Sequence, residues 1–165
     1  MEFKVLKKDE DIQIILIKDD QEIAKATCYL KGTPKINEKH IGCIGELEVK
    51  NVEYGNIILK KCEEILKEKN LKFIVAPMDR NTWNKYRVLK YTNGDSMFLL
   101  ENVNSIEYNK ILLDLGYKEL YTYTSSKGLI ENAYTSEALE YAEKTLEKEN
   151  ITIRTSFDVL TYHKL

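Results

Sequence analysis

Glu46 and Glu48 stand two residues apart at the end of an apolar strand pattern running from His40 to Val49. A carboxylate held in a cleft takes a proton from a nucleophile, directly or through water. A carboxylate on an exposed strand is only a solvated charge, and both readings are open for each glutamate. Further on, the run Phe73–Arg87 begins as an apolar strand, stops at Pro77 and empties into Asp79, Arg80, Asn81, Trp83, Tyr86 and Arg87. Strand ends that open into polar, aromatic loops are where α/β proteins place their sites. The plainer alternative is a loop whose Trp83 and Tyr86 plug a core edge, with the arginines solvated. A third group is the strand-to-helix junction Glu48–Gly55. Free amides and the positive end of a helix dipole there can hold a phosphate, and Gly55 lets a ligand approach the backbone. An ordinary helix start fits the same residues. Tyr108, on the inner stripe of a later helix, can donate a proton to a leaving thiolate or simply pack in the core. Glu101, after the apolar run Phe98–Leu100, has the charge to pair with a cation of the 79–87 segment.

These residues need elements to position them. Residues 2–7, 11–18, 22–30 and 40–49 read as strands, with Lys18–Gln21 as a hairpin turn and Lys31–Lys35 as a loop. Gly42 and Gly45 leave room for a bulge or a close backbone approach. Tyr54, Ile57, Ile58, Cys62, Ile65 and Leu66 fall on one helical stripe, with Glu53 in the first turn and Asn70 as the stop. Leu71–Ala76 reads as a buried strand. A short helix around Trp83–Leu89, capped by Asn81, and a strand at 96–100 are expected next. Asn104 and Glu107 have capping-box spacing ahead of a helix that ends at Gly116. Tyr117–Ser125 has strand composition, and residues 136–149 and 151–155 read as a last helix and strand. The order implies one α+β domain over residues 1–165, with 131–165 as an appended helix and strand that complete the sheet or form an interface.

Composition narrows the function. The chain has 165 residues, 43% of them apolar and 32% charged, and a net charge of −2 with lysine and glutamate interleaved. No basic stripe is present, so a nucleic-acid partner is not expected. No apolar run approaches the ~20 residues of a bilayer span, and the first residues lack a signal-peptide core. Three scattered cysteines and two distant histidines suggest neither a disulfide framework nor a metal site, which fits a reducing cytoplasm.

Two segments carry a resemblance. Ala76-Pro-Met-Asp-Arg-Asn-Thr-Trp-Asn-Lys-Tyr-Arg87 is similar to a Gly-Pro-Met-Asn-Gly-Asn-Thr-Trp-x-x-Tyr-Arg signature. Phe98–Asn102 and Asn104–Tyr117 are similar to the Phe-Leu-Glu-Pro strand and Gly-Phe-ended helix that follow it. Over about residues 10–126 the chain thus resembles the GNAT superfamily of acetyl-CoA-dependent N-acetyltransferases. The resemblance implies a GNAT-like fold, with a mixed, mostly antiparallel central sheet flanked by helices. It implies acetyl-CoA as acyl donor, with its pyrophosphate at Val49, Lys50, Tyr54, Gly55 and Asn56, and its pantetheine arm along Val75 and Ala76. It implies direct attack of an amine on the thioester, with Glu46 or Glu48 as base and strand amides stabilising the oxyanion. Tyr108 becomes the candidate acid, one helical turn before Leu112, which occupies the superfamily's tyrosine position. Asp79, Asn81, Trp83, Tyr86, Arg87 and Glu101 then line the acceptor side, for a small-molecule or peptide amine. In the superfamily's pyrophosphate loop, Lys50 stands for Arg or Gln and Glu53 for the first glycine.

Those departures leave a second reading: a GNAT-shaped module that binds a ligand or a protein without catalysis. A third is an interaction domain. The apolar tail Phe157–Leu165 asks for a partner surface, and a homodimer is expected from it.

Overall fold

The computed structural model describes residues 1–98, 101–129 and 135–152. The chain forms two compact units, Met1–Thr122 and Tyr123–Leu165. The fold is α+β, with a mixed five-stranded sheet and, among the described residues, three helices.

The first unit opens as a meander of β1 (Glu2–Lys8), β2 (Asp11–Lys18) and β3 (Gln21–Tyr29). Asp19 and Asp20 both take positive φ in the two-residue β2–β3 turn, the backbone that matches strand twist in a tight hairpin. A small hairpin follows, β4 (Lys35–Ile36) and β5 (Lys39–His40), turning on Asn37 and Glu38 with the same geometry. It falls where the sequence suggested loop and the start of the next strand. β6 (Gly42–Val49) lies antiparallel to β3, and β7 (Ile74–Val75) lies parallel to β6, giving the order β1-β2-β3-β6-β7.

Between β6 and β7 runs α1 (Val52–Glu68). The Asn51 side chain caps it by accepting the Tyr54 amide at 2.9 Å. At its other end Asn70 has φ 60, its N–H bonds to Lys67 O, and the Leu71 N–H bonds to Leu66 O, closing the last turn. Ile58, Leu59, Cys62, Ile65 and Leu66 bury one face of α1 on Ile12, Ile14, Leu16, Ala26, Cys28 and Ile44 of the sheet. α2 (Glu107–Asp114) lies on α1 and adds Ile111 and Leu112 to the same core. Gly116, at φ 83, ends it by the same two bonds.

Strand alternation sends Asp11, Gln13, Lys25, Thr27, Tyr29, Cys43 and Gly45 to the opposite face of the sheet. There a smaller cluster of Tyr29, Ile41, Cys43 and Met78 packs with Ile36, Val75 and Tyr86. The second unit contains α3 (Ser136–Lys148), capped by Thr135 and braced by the Lys144–Glu140 pair. It buries none of its residues, although its sequence carries an apolar stripe.

Several expected elements differ. Residues 83–89 form turns rather than a helix, because Tyr86 bridges back to Met78 and Arg87 has φ 81. Residues 96–98 and 117–125 are not strands, and among the described residues the sheet ends at β7. The Asn104–Glu107 capping box does not form: Ile106 occupies the cap position and the Asn104 side chain is engaged elsewhere. Residues 151–152 are irregular. Leu99, Leu100, residues 153–155 and the tail 157–165 lie outside the described residues.

Candidate functional site at the bulge of the central sheet

The register between β3 and β6 slips once. Lys25 pairs with Glu48 and Thr27 with Gly45, so Ala26 opposes both Glu46 and Leu47. This is a β-bulge, and Glu46 adopts φ 45 within it. A bulge takes an amide out of the ladder and re-aims a side chain, and both happen here. The Glu46 N–H donates to Asp79 Oδ1 at 2.7 Å. The Glu46 carboxylate turns onto the helix-free face, where it accepts the Thr27 hydroxyl at 2.6 Å and the Gln13 amide at 3.3 Å. The Thr27 hydrogen bond is the main reason its pKa lies below the usual range; partial burial opposes this, and Lys8, Lys25 and Gln13 reinforce it. Glu46 is therefore charged at neutral pH.

The chain around Asp79 is fixed from several sides. Met78 N–H donates to Ile44 O at 2.8 Å, which carries the β6–β7 contact past the end of the parallel pairing. Asp79 N–H donates to Lys85 O at 2.7 Å, and Asn81 Oδ1 accepts the Trp83 amide at 3.0 Å and the Asn84 side chain at 3.1 Å. Residues 78–86 are thus a closed loop with Trp83 at its tip, 94% exposed. Trp83 plugs no core edge.

Gly45 makes the approach possible. A Cβ there would sit 2.6 Å from Met78 O and 2.8 Å from the Asp79 Cα. Next along the loop, Arg80 folds over the sheet. Its guanidinium stacks 5.0 Å from the Tyr29 ring centre, donates to Lys31 O at 2.8 Å and pairs with the Asp11 carboxylate. Burial is the first cause that raises the Tyr29 hydroxyl pKa, and the carboxylates of Glu46, Asp79 and Asp11 add to it while Arg80 opposes. The Tyr29 phenol thus senses more negative than positive charge, with Arg80 and Asp11 paired beside it.

Of the expected catalytic residues, Glu46 lies at the centre of this cluster. Glu48 forms a surface ion pair with Lys25 at 2.8 Å. Tyr108 sits on α2, on the helix-covered side of the sheet, and Leu112 is core. Among the residues expected on the acceptor side, Asp79 and Asn81 build the loop and Trp83 tops it. Tyr86 packs under the loop, and the Arg87 guanidinium lies 4.7 Å from its ring. Glu101 Oε2 accepts the Phe98 amide at 3.4 Å. The two sequence blocks meet: Asn102 donates to Tyr86 O, and Asn104 holds Arg87 O and the Leu89 amide, the latter at 2.8 Å.

The expected cofactor residues gather at the start of α1. Lys50 Nζ reaches Gln21 at 3.3 Å and Tyr54 OH accepts from Lys18 at 3.4 Å. A Cβ on Gly55 would meet Ile111 Cδ1 at 2.5 Å, so this glycine serves helix packing. The Asn56 Oδ1 is buried without a partner. Val75 pairs with Cys43 and packs in the smaller cluster, while Ala76 borders the main core.

Two shallow cavities lie at the far end of β7. One, of about 350 Å³, is lined by Lys39, His40, Asn70, Leu71, Lys72 and Phe73. The other, of about 360 Å³, lies between Glu63, Lys72, Ile74 and Leu115–Lys118. Neither touches the bulge. Among the described residues no group of three His, Cys, Asp or Glu could hold a metal, and no helix is long and apolar enough to cross a membrane.

Gln13, Thr27, Asp11 and Tyr29 escaped the sequence reading. The signal was present for two of them: Asp11 and Gln13 interrupt an otherwise apolar strand on one alternation, and both are buried. No family model, no curated protein and no solved structure matches the chain.

Proposed function

We propose that this chain is built on the GNAT plan and transfers an acyl group from an acyl-CoA to an amine at the β6 bulge. The observation that carries the reading is the Glu46 amide, free of the ladder and donating at 2.7 Å to a carboxylate oxygen. A donor so aimed stabilises a thioester carbonyl oxygen as negative charge develops on it. Asp79 occupies that donor now and has to move aside for a substrate. The carboxylates of Glu46 and Asp79 attract a protonated amine, and Glu46 takes its proton through water. The amine nitrogen then bonds to the acyl carbon, the C–S bond breaks, and the departing thiolate takes the nitrogen's second proton, so that CoA leaves as a thiol. Strand order, the bulge and the two sequence blocks support this reading. Titration calorimetry with acetyl-CoA, followed by a thiol-release screen of amine acceptors, tests it. Heat on binding and acceptor-dependent thiol are expected.

A second reading, a GNAT-shaped module that binds without catalysis, has its own observations. Met78 fastens the 78–79 segment to β6, Asp79 satisfies the bulge amide, and Ile111 covers Gly55. Asp79→Ala separates the two. If neither the native chain nor this variant binds millimolar acetyl-CoA, the acyl-transfer reading fails and the module reading stands.

A further inference from the structure

We propose that β1 is a self-complementary edge through which two copies of this chain join their sheets. β1 ends the strand order, and β2 pairs with all of its residues, Glu2 to Lys8, without a bulge. Its outer row of N–H and C=O groups is therefore regular. Among the described residues, no backbone hydrogen bond reaches this strand from any element but β2. Phe3 is 40% and Val5 50% exposed.

Such an edge is a template for another strand, and proteins usually blunt it with lysines. β1 carries three, Lys4, Lys7 and Lys8. What decides its behaviour is the residue each lysine would meet. Two copies related by a twofold axis normal to the sheet pair antiparallel, and opposed residues must point to the same face. One register pairs the whole strand: Val5 opposes Val5, Phe3 opposes Lys7, Lys4 opposes Leu6 and Glu2 opposes Lys8. No lysine then faces a lysine, and each end closes on an ion pair. A slip of two residues in one direction sets Lys4 against Lys4, and in the other Lys4 against Lys8. Both slips also shorten the ladder. Charge thus selects a single register, and the strand best suited to it is a second copy of itself.

The faces agree with this pairing. Phe3 and Val5 pair with Leu16 and Ile14, so they lie on the α1 side, where Lys61 Nζ is 5.9 Å from the Phe3 ring centre. The Val5–Val5 contact would extend the apolar side of the sheet across the axis. A single strand ladder is smaller than a standard interface of ~1,600 Å², so dissociation on the order of micromolar is expected. This inference does not depend on the proposed chemistry.

Sedimentation of the full chain across the micromolar range should show monomer passing to dimer. Val5→Lys sets like charges together at the axis and should weaken the dimer at least tenfold. A cysteine scan reads the register independently of affinity, because Cys28, Cys43 and Cys62 are buried. With oxidised glutathione as oxidant, two Val5→Cys thiols should close one disulfide across the axis, at least tenfold faster than Lys4→Cys or Lys7→Cys. A monomer mass at every concentration, a dimer indifferent to Val5→Lys, or equal cross-linking at the three positions would overturn the proposal.

Discussion

Asp79 holds Glu46 by its backbone: one carboxylate oxygen accepts the Glu46 amide at 2.7 Å, 33 residues away in sequence. The bond exists because the bulge in β6 leaves that amide without a ladder partner, and because the residue before it is glycine. A loop has thereby been locked onto a strand at the one point where the strand is irregular. The arrangement can be probed at each of its parts.

Gly45 is the first. A Cβ there would meet backbone atoms, Met78 O and Asp79 Cα, which cannot rotate away. Gly45→Ala should lower stability by about 2 kcal/mol, as overpacking commonly does. Gly128→Ala, where nothing among the described residues lies within 4 Å, should stay within about 0.5 kcal/mol. Urea denaturation of the two variants makes the comparison. Equal midpoints would mean that the 78–79 segment does not rest on β6.

The Glu46 carboxylate offers a pH test. Its folded pKa is lowered, chiefly by the Thr27 hydroxyl, from an ordinary 4.5. A lowered carboxylate contributes stability that is fully present above its unfolded pKa and lost as pH falls through the folded one. Thr27→Val removes the donor, so the variant should be less stable at neutral pH and should lose less on acidification. The gap between native and variant urea midpoints should narrow as the pH falls from neutral through the ordinary carboxylate range and below it. A gap that stays constant would assign Thr27 to packing alone.

Asn104 joins the two sequence blocks. Its side chain accepts the Leu89 amide at 2.8 Å and donates to Arg87 O at 3.2 Å. Asn104→Ala removes both bonds and should cost about 1–2 kcal/mol. Asn104→Asp keeps the acceptor and should cost less. Limited proteolysis should cut faster near residues 87–90 in the alanine variant; unchanged cleavage there would argue against the clamp.

Trp83 is the protein's only tryptophan and is 94% exposed. Its fluorescence should match that of tryptophanamide in water, and acrylamide should quench it equally in the native and urea-unfolded chain. A blue-shifted native spectrum would place Trp83 under cover. A blue shift that arises only on adding an amine or acyl-CoA would report a ligand on the 78–86 loop.

Local chemistry was legible in the sequence. The Lys18–Gln21 turn forms as two aspartates at positive φ, and Asn70 and Gly116 stop their helices. The apolar stripe of α1 buries the face it marks. These features depend on residues within a turn or two of each other. The helix expected at Trp83–Leu89 failed for the opposite reason. Its residues are compatible with a helix, but Met78, Lys85 and Tyr86 bond across the loop instead. Asn104 has the spacing of a cap, yet a distant backbone claims its side chain.

What the sequence settled by itself is the set of elements whose apolar period is strong: the β1–β2–β3 meander, β6, and helices α1, α2 and α3. It also flagged Gly42 and Gly45 as places for a bulge or close approach, because glycine in a strand has few other uses. Tertiary structure alone decided which glutamate joins the cluster at the bulge. Glu46 and Glu48 look alike in the chain, but the slip between Lys25 and Thr27 turns one onto Thr27 and Gln13 and leaves the other to a surface lysine. A one-residue slip in register depends on how two strands and a loop fit together, and no window of sequence contains all three.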